Sequence, residues 1–436
     1  MRTNDAAAEV APVAHEPHSD LKRVAASSFL GNFIEWFDYA TYTYFAITIG
    51  QVFFPGSEVN STLMAFAIFA LAFIFRPLGA MFWGSMGDKK GRKQSLAISV
   101  LLMSGAAFLI GCLPSYQASP ILLLVLRSVQ GFSVAGEYSG AAVFLAEYAP
   151  PEKRGRYCSL VPASTATGLL AGSTMALVLK MVLPEAAIIE WGWRIPFLLA
   201  GPLGFIAHYI RTKLEDSPAF VKMEEGNKEA EHPTHLVFKK YRKRLLSSVA
   251  ATMVNAVGFY LVLTYLPTYL TSYTSMEASQ AQLATDIALI AYLLIIFGSG
   301  TLSDKVGRRR MLLTACVAFI VLSIPCFLML GTASLPIVIV AELIMCVTLS
   351  LNDANIACYQ AEMFPTEVRY TGAALGSNIA YVVFGGTASF VATALIDATG
   401  NGLMPAFYMM AISAVAGVIL FFTAHDYNGI PLDEIR

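Results

Sequence analysis

Two carboxylates stand close together in the first long apolar stretch of the sequence. Glu35 and Asp38 are three residues apart, and a helix places them on one face with Asn32, Tyr39 and Tyr42. Charge repulsion and burial both disfavour two ionised carboxylates at this spacing, so at least one of them is expected to take up and release a proton. The predicted chemistry is reversible proton binding. The alternative is a pair that arginine neutralises permanently and that only fixes packing.

A second set of polar side chains lies within the fourth apolar stretch. Arg127, Gln130 and Glu137 lie along one face of the predicted helix. Arg127 and Glu137 are about 15 Å apart along the helix axis, so each needs another partner. The guanidinium of Arg127 could hold a substrate carboxylate or pair with Asp38 or Glu35. Glu137 is a further candidate proton carrier, and an interhelix pair that closes half of the path is the alternative for both.

The second half of the sequence carries acidic and amide side chains but no Lys or Arg inside its apolar stretches. A shift of 215 residues takes Arg127 onto Glu342. The same shift takes Glu137 onto Asn352, which Asp353 follows. Positive charge on the N-terminal side and acceptors on the C-terminal side suit a zwitterion or a monocarboxylate better than a trianion such as citrate.

Aromatic side chains provide a second kind of recognition. Tyr260 and Tyr265 could stack on a quaternary ammonium, and the alternative is that they only pack against their neighbours. The candidate substrate-binding residues of both halves are Asn32, Tyr39, Tyr42, Arg127, Gln130, Tyr260, Tyr265, Asn352, Asp353 and Asn378.

The elements that position these residues are predicted to be membrane-spanning helices. The chain has 436 residues, of which 56% are hydrophobic and 14% charged, against about 25% charged residues in soluble domains. This composition and a net charge of −1 exclude a soluble enzyme, a disordered chain and a nucleic-acid binder. Twelve apolar stretches are long enough to cross a bilayer as helices, at 26–50, 60–84, 94–115, 119–148, 156–182, 191–212, 245–272, 281–302, 311–331, 335–361, 371–396 and 403–424.

The basic residues predict the orientation of these spans. Of the 29 Lys and Arg residues, 25 fall in the two termini and in alternate loops, and the loops on the other side contain none. The positive-inside rule then places both termini in the cytoplasm. The predicted organisation is a cytoplasmic N-terminal tail (1–25), two six-helix bundles (26–215 and 244–425) joined by a cytoplasmic linker (216–243), and a short cytoplasmic tail (426–436).

Two motifs recur at half the length of the chain. The segment 84–93 matches 300–309 at an offset of 216, and 146–154 matches 361–369 at an offset of 215. Parallel six-helix halves around a central site are typical of a secondary transporter, and convergent chemistry of basic loops is the alternative. The residues of interest in these motifs are Gly84, Asp88, Gly91 and Arg92, then Glu152 and Arg154, then Asp304, Gly307 and Arg308, and finally Glu367 and Arg369.

The pattern G-x-x-x-D-[KR]-x-G-R-[KR] after spans 2 and 8 resembles the signature loop of the major facilitator superfamily. The segments 31–39, 76–79, 127–137 and 191–197 resemble its metabolite:proton symporter family, and within it the proline/betaine transporters most and the 2-oxoglutarate, citrate and shikimate porters next. The resemblance implies a major facilitator fold and a latch in which Asp88 acts with Arg92 and Asp304 with Arg308. By the same resemblance, Glu152 with Arg154 and Glu367 with Arg369 are adjacent latch partners, and plain positive-inside anchoring is the alternative.

The function that this resemblance implies is proton symport by alternating access. We expect import of a small organic metabolite, best a zwitterionic compatible solute of the proline or glycine betaine type. A small carboxylate is the alternative substrate, and a membrane sensor that does not transport is the alternative class of protein. No enzymatic activity, cofactor or metal site is expected. We expect the protein to be a monomer in a bacterial plasma membrane.

Overall fold

The computed structural model describes residues 17–54, 64–65, 67–68, 71–114 and 119–435. The first 16 residues of the expected tail and most of the expected stretch 60–84 before residue 71 lie outside these ranges. Helices make up nearly all of the described chain, which contains no β-strand. The long helices are α1 (Pro17–Tyr44), α2 (Arg76–Lys90), α3 (Arg92–Cys112), α4 (Ser119–Tyr148), α5 (Leu160–Val182), α6 (Arg194–Thr212), α7 (Arg242–Phe259), α8 (Ala278–Val306), α9 (Arg308–Leu330), α10 (Leu335–Met363), α11 (Arg369–Ala380) and α12 (Met404–Thr423).

Nine of the described helices are long and apolar enough to cross a membrane. They include every long helix except α1, α2 and α6. The described α2 has only 15 residues, and charged side chains such as Asp38 and Arg211, both buried, reduce the apolar character of α1 and α6. The prediction of an all-α membrane protein is thus confirmed. The second predicted span, 60–84, overlaps only part of α2, which runs on to Lys90.

Two helices continue beyond the ranges given above through a wider, π-helical turn. α7 continues into the π-helical segment Tyr260–Tyr265 and then into a final helix, Leu266–Tyr273. α11 continues into the π-helical segment Tyr381–Gly385, which is followed by the helix Ala388–Thr399. Such turns are frequent at functional sites. In α7, Pro267 follows the turn and lacks the N–H that a regular helical hydrogen bond needs, which favours this local rearrangement.

The bundle has two halves, α1–α6 and α7–α12, which meet along α2 with α11, α5 with α8, and α4 with α10 and α11. The first two contacts are equivalent under the sequence repeat. Two short helices, Pro218–Glu225 and Pro233–Lys239, lie in the expected linker. The linker, the two signature loops and the segment 424–435 contact one another at one end of the bundle, which we call the signature-loop end.

Small residues allow the two halves to approach each other at this end. Gly91 and Gly307 end α2 and α8 with positive φ angles of 98° and 96°, a conformation that residues with a Cβ rarely adopt. In α2, Gly84 faces the backbone of Thr371 in α11 so closely that a Cβ atom would overlap it.

The variant Gly84→Ala tests this close approach. The added methyl group would force α2 and α11 apart, and overpacking of this kind costs about 1–3 kcal/mol. We expect a lower midpoint of thermal unfolding for the purified protein in detergent. The matched control is Gly105→Ala in α3, because a Cβ atom at Gly105 would meet no atom within 4 Å. That control should equal or exceed the wild-type midpoint. Equal effects of the two substitutions would contradict the account of the α2–α11 contact.

Candidate functional site

A buried ion pair lies between α1 and α4. Arg127 Nη1 is 2.8 Å from Asp38 Oδ2, and both side chains are almost inaccessible, at 1% and 4% exposed. The guanidinium carbon of Arg127 is 3.7 Å from the ring centre of Tyr42, whose hydroxyl donates to the carbonyl of Ala65. Nε and Nη2 of Arg127 and Oδ1 of Asp38 have no hydrogen-bond partner in the described part of the chain. The pair therefore has spare hydrogen-bonding capacity.

A second buried ion pair joins α1 to α2. Arg76 Nη2 is 3.1 Å from Glu35 Oε1 and donates to the Tyr39 hydroxyl at 2.8 Å. The guanidinium also lies over the Phe73 ring, 4.7 Å from its centre. Each of the two neighbouring carboxylates thus has its own arginine. The expected repulsion between Glu35 and Asp38 is resolved by these separate partners.

Aromatic and amide side chains surround these pairs where the halves meet. Trp36 of α1 packs on Phe259 of α7 with ring centres 5.1 Å apart, and Tyr260 follows Phe259 in the π-helical turn. Gln130, one turn after Arg127, is buried, and neither its oxygen nor its nitrogen has a partner within the described ranges. Buried amides normally form hydrogen bonds, so this side chain is ready to bind a ligand.

The other half contributes a buried carboxylate at the same interface. Asp353 of α10 accepts a hydrogen bond from the Tyr292 hydroxyl, and no base in the described chain forms an ion pair with it. Nearby, the Tyr381 hydroxyl donates to Asn255 Oδ1 at 2.7 Å. Tyr138 of α4 packs edge-on against Tyr381, with ring centres 6.4 Å apart. A carboxylate ringed by tyrosines is a chemical environment that suits an organic cation.

Several predicted substrate-binding residues point elsewhere. The amide nitrogen of Asn32 donates to the Val161 carbonyl, Ser164 and Thr165, so this side chain ties α1 to α5. Asn352 donates to the Ala251 carbonyl inside the second half. Asn378 donates to the Ala135 carbonyl across the two halves. Sequence periodicity predicts a helix face that is broader than the part facing the centre of the bundle. For this reason the three amides are among the predicted substrate-binding residues.

Two further candidates also have local partners. Tyr265 shares a hydrogen bond of 3.0 Å with Thr393, away from Tyr260. Glu137 pairs with Arg211 inside the first half and accepts a hydrogen bond from Ser99. Arg211 is one of the 25 bases predicted to lie in the termini and loops, although it falls at the end of the predicted span 191–212; the structure buries it in α6 at 1% exposed. The basic cluster that follows it in the sequence conceals this role.

The signature loops hold the two halves together through backbone N–H groups. Asp88 lies 3.3 Å from Arg92 and accepts hydrogen bonds from the N–H groups of Tyr370 and Thr371, at the first turn of α11. In the equivalent place, Asp304 pairs with Arg308 at 2.8 Å and accepts from the N–H groups of Gly155 and Arg156. Each aspartate thus caps a helix start of the opposite half, where the N–H groups favour negative charge.

Two buried glutamates complete this latch. Glu147 of α4 pairs with Arg92 of its own half at 3.2 Å and with Arg369 of the other half at 2.6 Å. Glu362 of α10 pairs in the same way with Arg308 at 3.2 Å and with Arg154 of the other half at 2.8 Å. We call these four aspartate and glutamate side chains and their four arginines the latch.

The predicted partners Glu152 and Glu367 are not in the latch, and their assignment is wrong. Glu152 is exposed on a 3₁₀ turn, Pro151–Lys153, and Glu367 accepts a hydrogen bond from the Tyr241 hydroxyl. The last turns of α4 and α10 point Glu147 and Glu362 into the interface, whereas the prolines that follow turn the next residues away. The sequence does contain a signal for these two glutamates, because Glu147 and Glu362 are separated by 215 positions, the offset of the repeat.

The segment 424–435 folds over the latch. The carbonyls of Ile430 and Leu432 accept hydrogen bonds from Arg154 and Arg369, the two arginines that cross between the halves. The exposed Lys222 in the linker pairs with Asp433 at 2.9 Å, and this hydrogen bond lowers the pKa of the Asp433 carboxyl. The linker and this segment therefore reinforce the closed signature-loop end.

Two six-helix halves around a buried polar centre, closed at one end by interlocked ion pairs, define a membrane transporter. The family model described as "Sugar (and other) transporter" matches residues 24–235 and again 221–436, one match for each half. The chain therefore belongs to the Sugar (and other) transporter family, which makes it a multi-pass transport protein and not an enzyme. Within the described ranges, no cluster of three or more His, Cys, Asp or Glu residues could hold a metal ion.

Known proteins are similar to this chain along most of its length. It is 37% identical over 426 residues to the proline/betaine transporter of Escherichia coli K12, covering 94% of this chain and 85% of the relative. It is 35% identical over 427 residues to the glycine betaine/proline/ectoine/pipecolic acid transporter OusA of Dickeya dadantii, covering 94% and 84%. Among solved structures, the major facilitator proton:xylose symporter XylE superposes with a TM-score of 0.82 over 96% of this chain and 99% of its own, at 16% identity.

The variants Glu147→Gln and Glu152→Gln distinguish the observed latch from the predicted one. Removing the charge of Glu147 leaves two buried arginines without a shared partner, a change that typically costs about 3–5 kcal/mol. We expect Glu147→Gln to unfold at lower temperature and to speed alkylation of the buried Cys158 and Cys358, which pack behind the latch. Glu152→Gln should behave like the wild type. A stronger effect of Glu152→Gln than of Glu147→Gln would contradict the latch described above.

Proposed function

We propose that this protein is a proton-coupled symporter that imports a zwitterionic compatible solute, of the proline or glycine betaine type, by alternating access. The observation that carries the proposal is the buried ion pair of Asp38 and Arg127, which keeps unsatisfied polar atoms on both partners. The distribution of basic residues supports a cytoplasmic signature-loop end. The latch then closes the cytoplasmic side of a bacterial plasma membrane protein, which we expect to work as a monomer.

Proton binding and substrate binding are coupled through Arg127. An arginine buried beside one carboxylate holds a second anion poorly, because the first already neutralises it. When Asp38 takes up a proton, its attraction for Arg127 falls, and the guanidinium fork can bind a substrate carboxylate in its place. The Tyr42 ring beneath the guanidinium keeps its position during this exchange. Because a zwitterion has no net charge, the site loaded with both substrate and proton is one unit more positive than the empty site.

The cationic end of the substrate fits the other half of the interface. Trp36, Tyr260 and the tyrosines around Asp353 offer aromatic faces. The Asp353 carboxylate has no ion-pair partner in the described chain and gains one when the cationic nitrogen of the substrate binds. Relatives that are identical to this chain at over a third of the aligned positions are named for proline and betaine. Both compounds carry one carboxylate and one positively charged nitrogen, which matches a site with one available arginine and one available aspartate.

The alternating step requires the latch to open. Asp88, Asp304, Glu147 and Glu362 each hold the opposite half, so the cytoplasmic side cannot open without separating them. Each proton that enters down a potential of 100 mV supplies about 2.3 kcal/mol, enough for roughly fifty-fold accumulation. Glu35 and Glu137 retain their own arginines, Arg76 and Arg211, and we assign them to positioning rather than to proton transfer.

Uptake into proteoliposomes tests the substrate class. With an imposed inward proton gradient, we expect radiolabelled proline or glycine betaine to accumulate at least ten-fold and an uncoupler to abolish the accumulation. Labelled 2-oxoglutarate should not accumulate, because Arg76, the other central arginine, is held by Glu35 and Tyr39. Accumulation of 2-oxoglutarate without that of proline or betaine would overturn the substrate assignment. Absence of uptake of all three by folded protein would favour a sensor.

A further inference from the structure

One buried carboxylate has no role in the mechanism above. Glu342 lies in α10, seven residues after its start at Leu335, and its side chain has no solvent exposure. Its Oε1 accepts a hydrogen bond of 3.1 Å from the Thr285 hydroxyl of α8. Its Oε2 has no hydrogen-bond partner, and no base in the described part of the chain forms an ion pair with it.

The missing counter-charge separates Glu342 from Glu35, Asp38 and Glu137, and Glu342 shares it with Asp353, for which the proposed substrate supplies a cationic nitrogen. Glu35, Asp38 and Glu137 each have an arginine within 3.1 Å or less. An ionised carboxylate without a partner is very costly in an apolar interior, so a group in this position becomes neutral instead. One hydroxyl donor does not replace a counter-ion. In this conformation Glu342 therefore carries a proton.

The surroundings of Glu342 favour that proton and give it a path. Among the described residues, the titratable groups that act on Glu342 are Asp286 of α8 and Cys346, one turn further along α10. Asp286 is half-buried and accepts a hydrogen bond from Gln282. Both acids lie near the end of the bundle opposite the signature loops, where Asp286 can exchange protons with water.

The sequence repeat places Glu342 opposite the coupling pair of the first half. Glu342 follows Arg127 by 215 positions, the offset that also relates Glu147 to Glu362. One half thus presents a base at this position and the other half an acid. A buried acid that only joined two helices would not need to be titratable, because Gln fills the same space and accepts the same hydrogen bond from Thr285.

We propose that Glu342 is a second proton-binding site of the transport cycle, so that two protons enter with each substrate, one on Asp38 and one on Glu342. The inference rests on the symport proposed above. The carboxylate of Glu342 takes a proton from water at the outer end, and the neutral acid returns that proton to water on the cytoplasmic side. No other bond forms or breaks. Ionisation follows when the inward-facing state admits water to the seam between α8 and α10.

The ratio of protons to substrate tests this inference directly. In proteoliposomes that contain the full chain, a trapped pH dye reports proton entry while labelled glycine betaine reports substrate entry. We expect Glu342→Gln to halve the wild-type ratio and to leave the apparent affinity for substrate within about two-fold. The matched control is Asp397→Asn, which alters an exposed acid at the same end of the bundle and should keep the wild-type ratio.

An unchanged ratio in Glu342→Gln would overturn the second site and leave the symport proposal standing. If Glu342→Gln fails to fold, the ratio of protons to substrate in the wild type decides the question. A ratio of one proton per substrate, measured at the reversal potential, is incompatible with two proton-binding sites. A wild type that carries substrate without any proton would overturn the symport proposal and this inference together. A ratio that falls equally in Asp397→Asn would also count against Glu342.

Discussion

A charge inside this helical bundle must have a partner of opposite charge or lose its own charge, and the remaining structure follows from that constraint. The spans bury acids and arginines that would otherwise be costly in an apolar medium. Asp353 and Glu342 have no arginine partner in the described chain. Three of the acids have one: Glu35 with Arg76, Asp38 with Arg127, and Glu137 with Arg211. The helices α1, α2, α4 and α6 are therefore held together as much by these pairs as by apolar packing.

The same constraint explains why the signature-loop end can serve as a gate. There each glutamate pairs with one arginine of its own half and with one of the other half, so Arg154 and Arg369 are paired only while the halves touch. Glu147 needs Arg369 and Glu362 needs Arg154. When the halves separate, water can reach and hydrate these two glutamates and two arginines. A closed state with satisfied pairs and an open state with hydrated charges can be close in free energy, whereas a half-open state satisfies neither condition.

The sequence permits prediction of the class of fold and of the general position of the site, but not of the individual partners. Span positions follow from apolar length, and the pairing of Asp88 with Arg92 follows from the resemblance of the signature loop. Periodicity placed Asn32 and Asp38 on one broad face, yet only packing decides that Asn32 contacts α5 while Asp38 meets Arg127. Arg211 resembled a loop base because basic residues follow it. The resemblance implied that Glu152 is the partner of Arg154, whereas the 3₁₀ turn leaves Glu152 exposed and Glu147 forms the latch pairs.

The central claim is that Asp38 gives up Arg127 to the substrate as it takes up a proton. Calorimetric titration of the detergent-solubilised protein with glycine betaine, in buffers of different ionisation enthalpy, counts the protons taken up on binding. The account predicts net proton uptake near neutral pH in the wild type. In Asp38→Asn, which is permanently neutral at this position, the uptake should fall by about one proton while binding persists. Proton uptake that is the same in the two proteins would contradict the account.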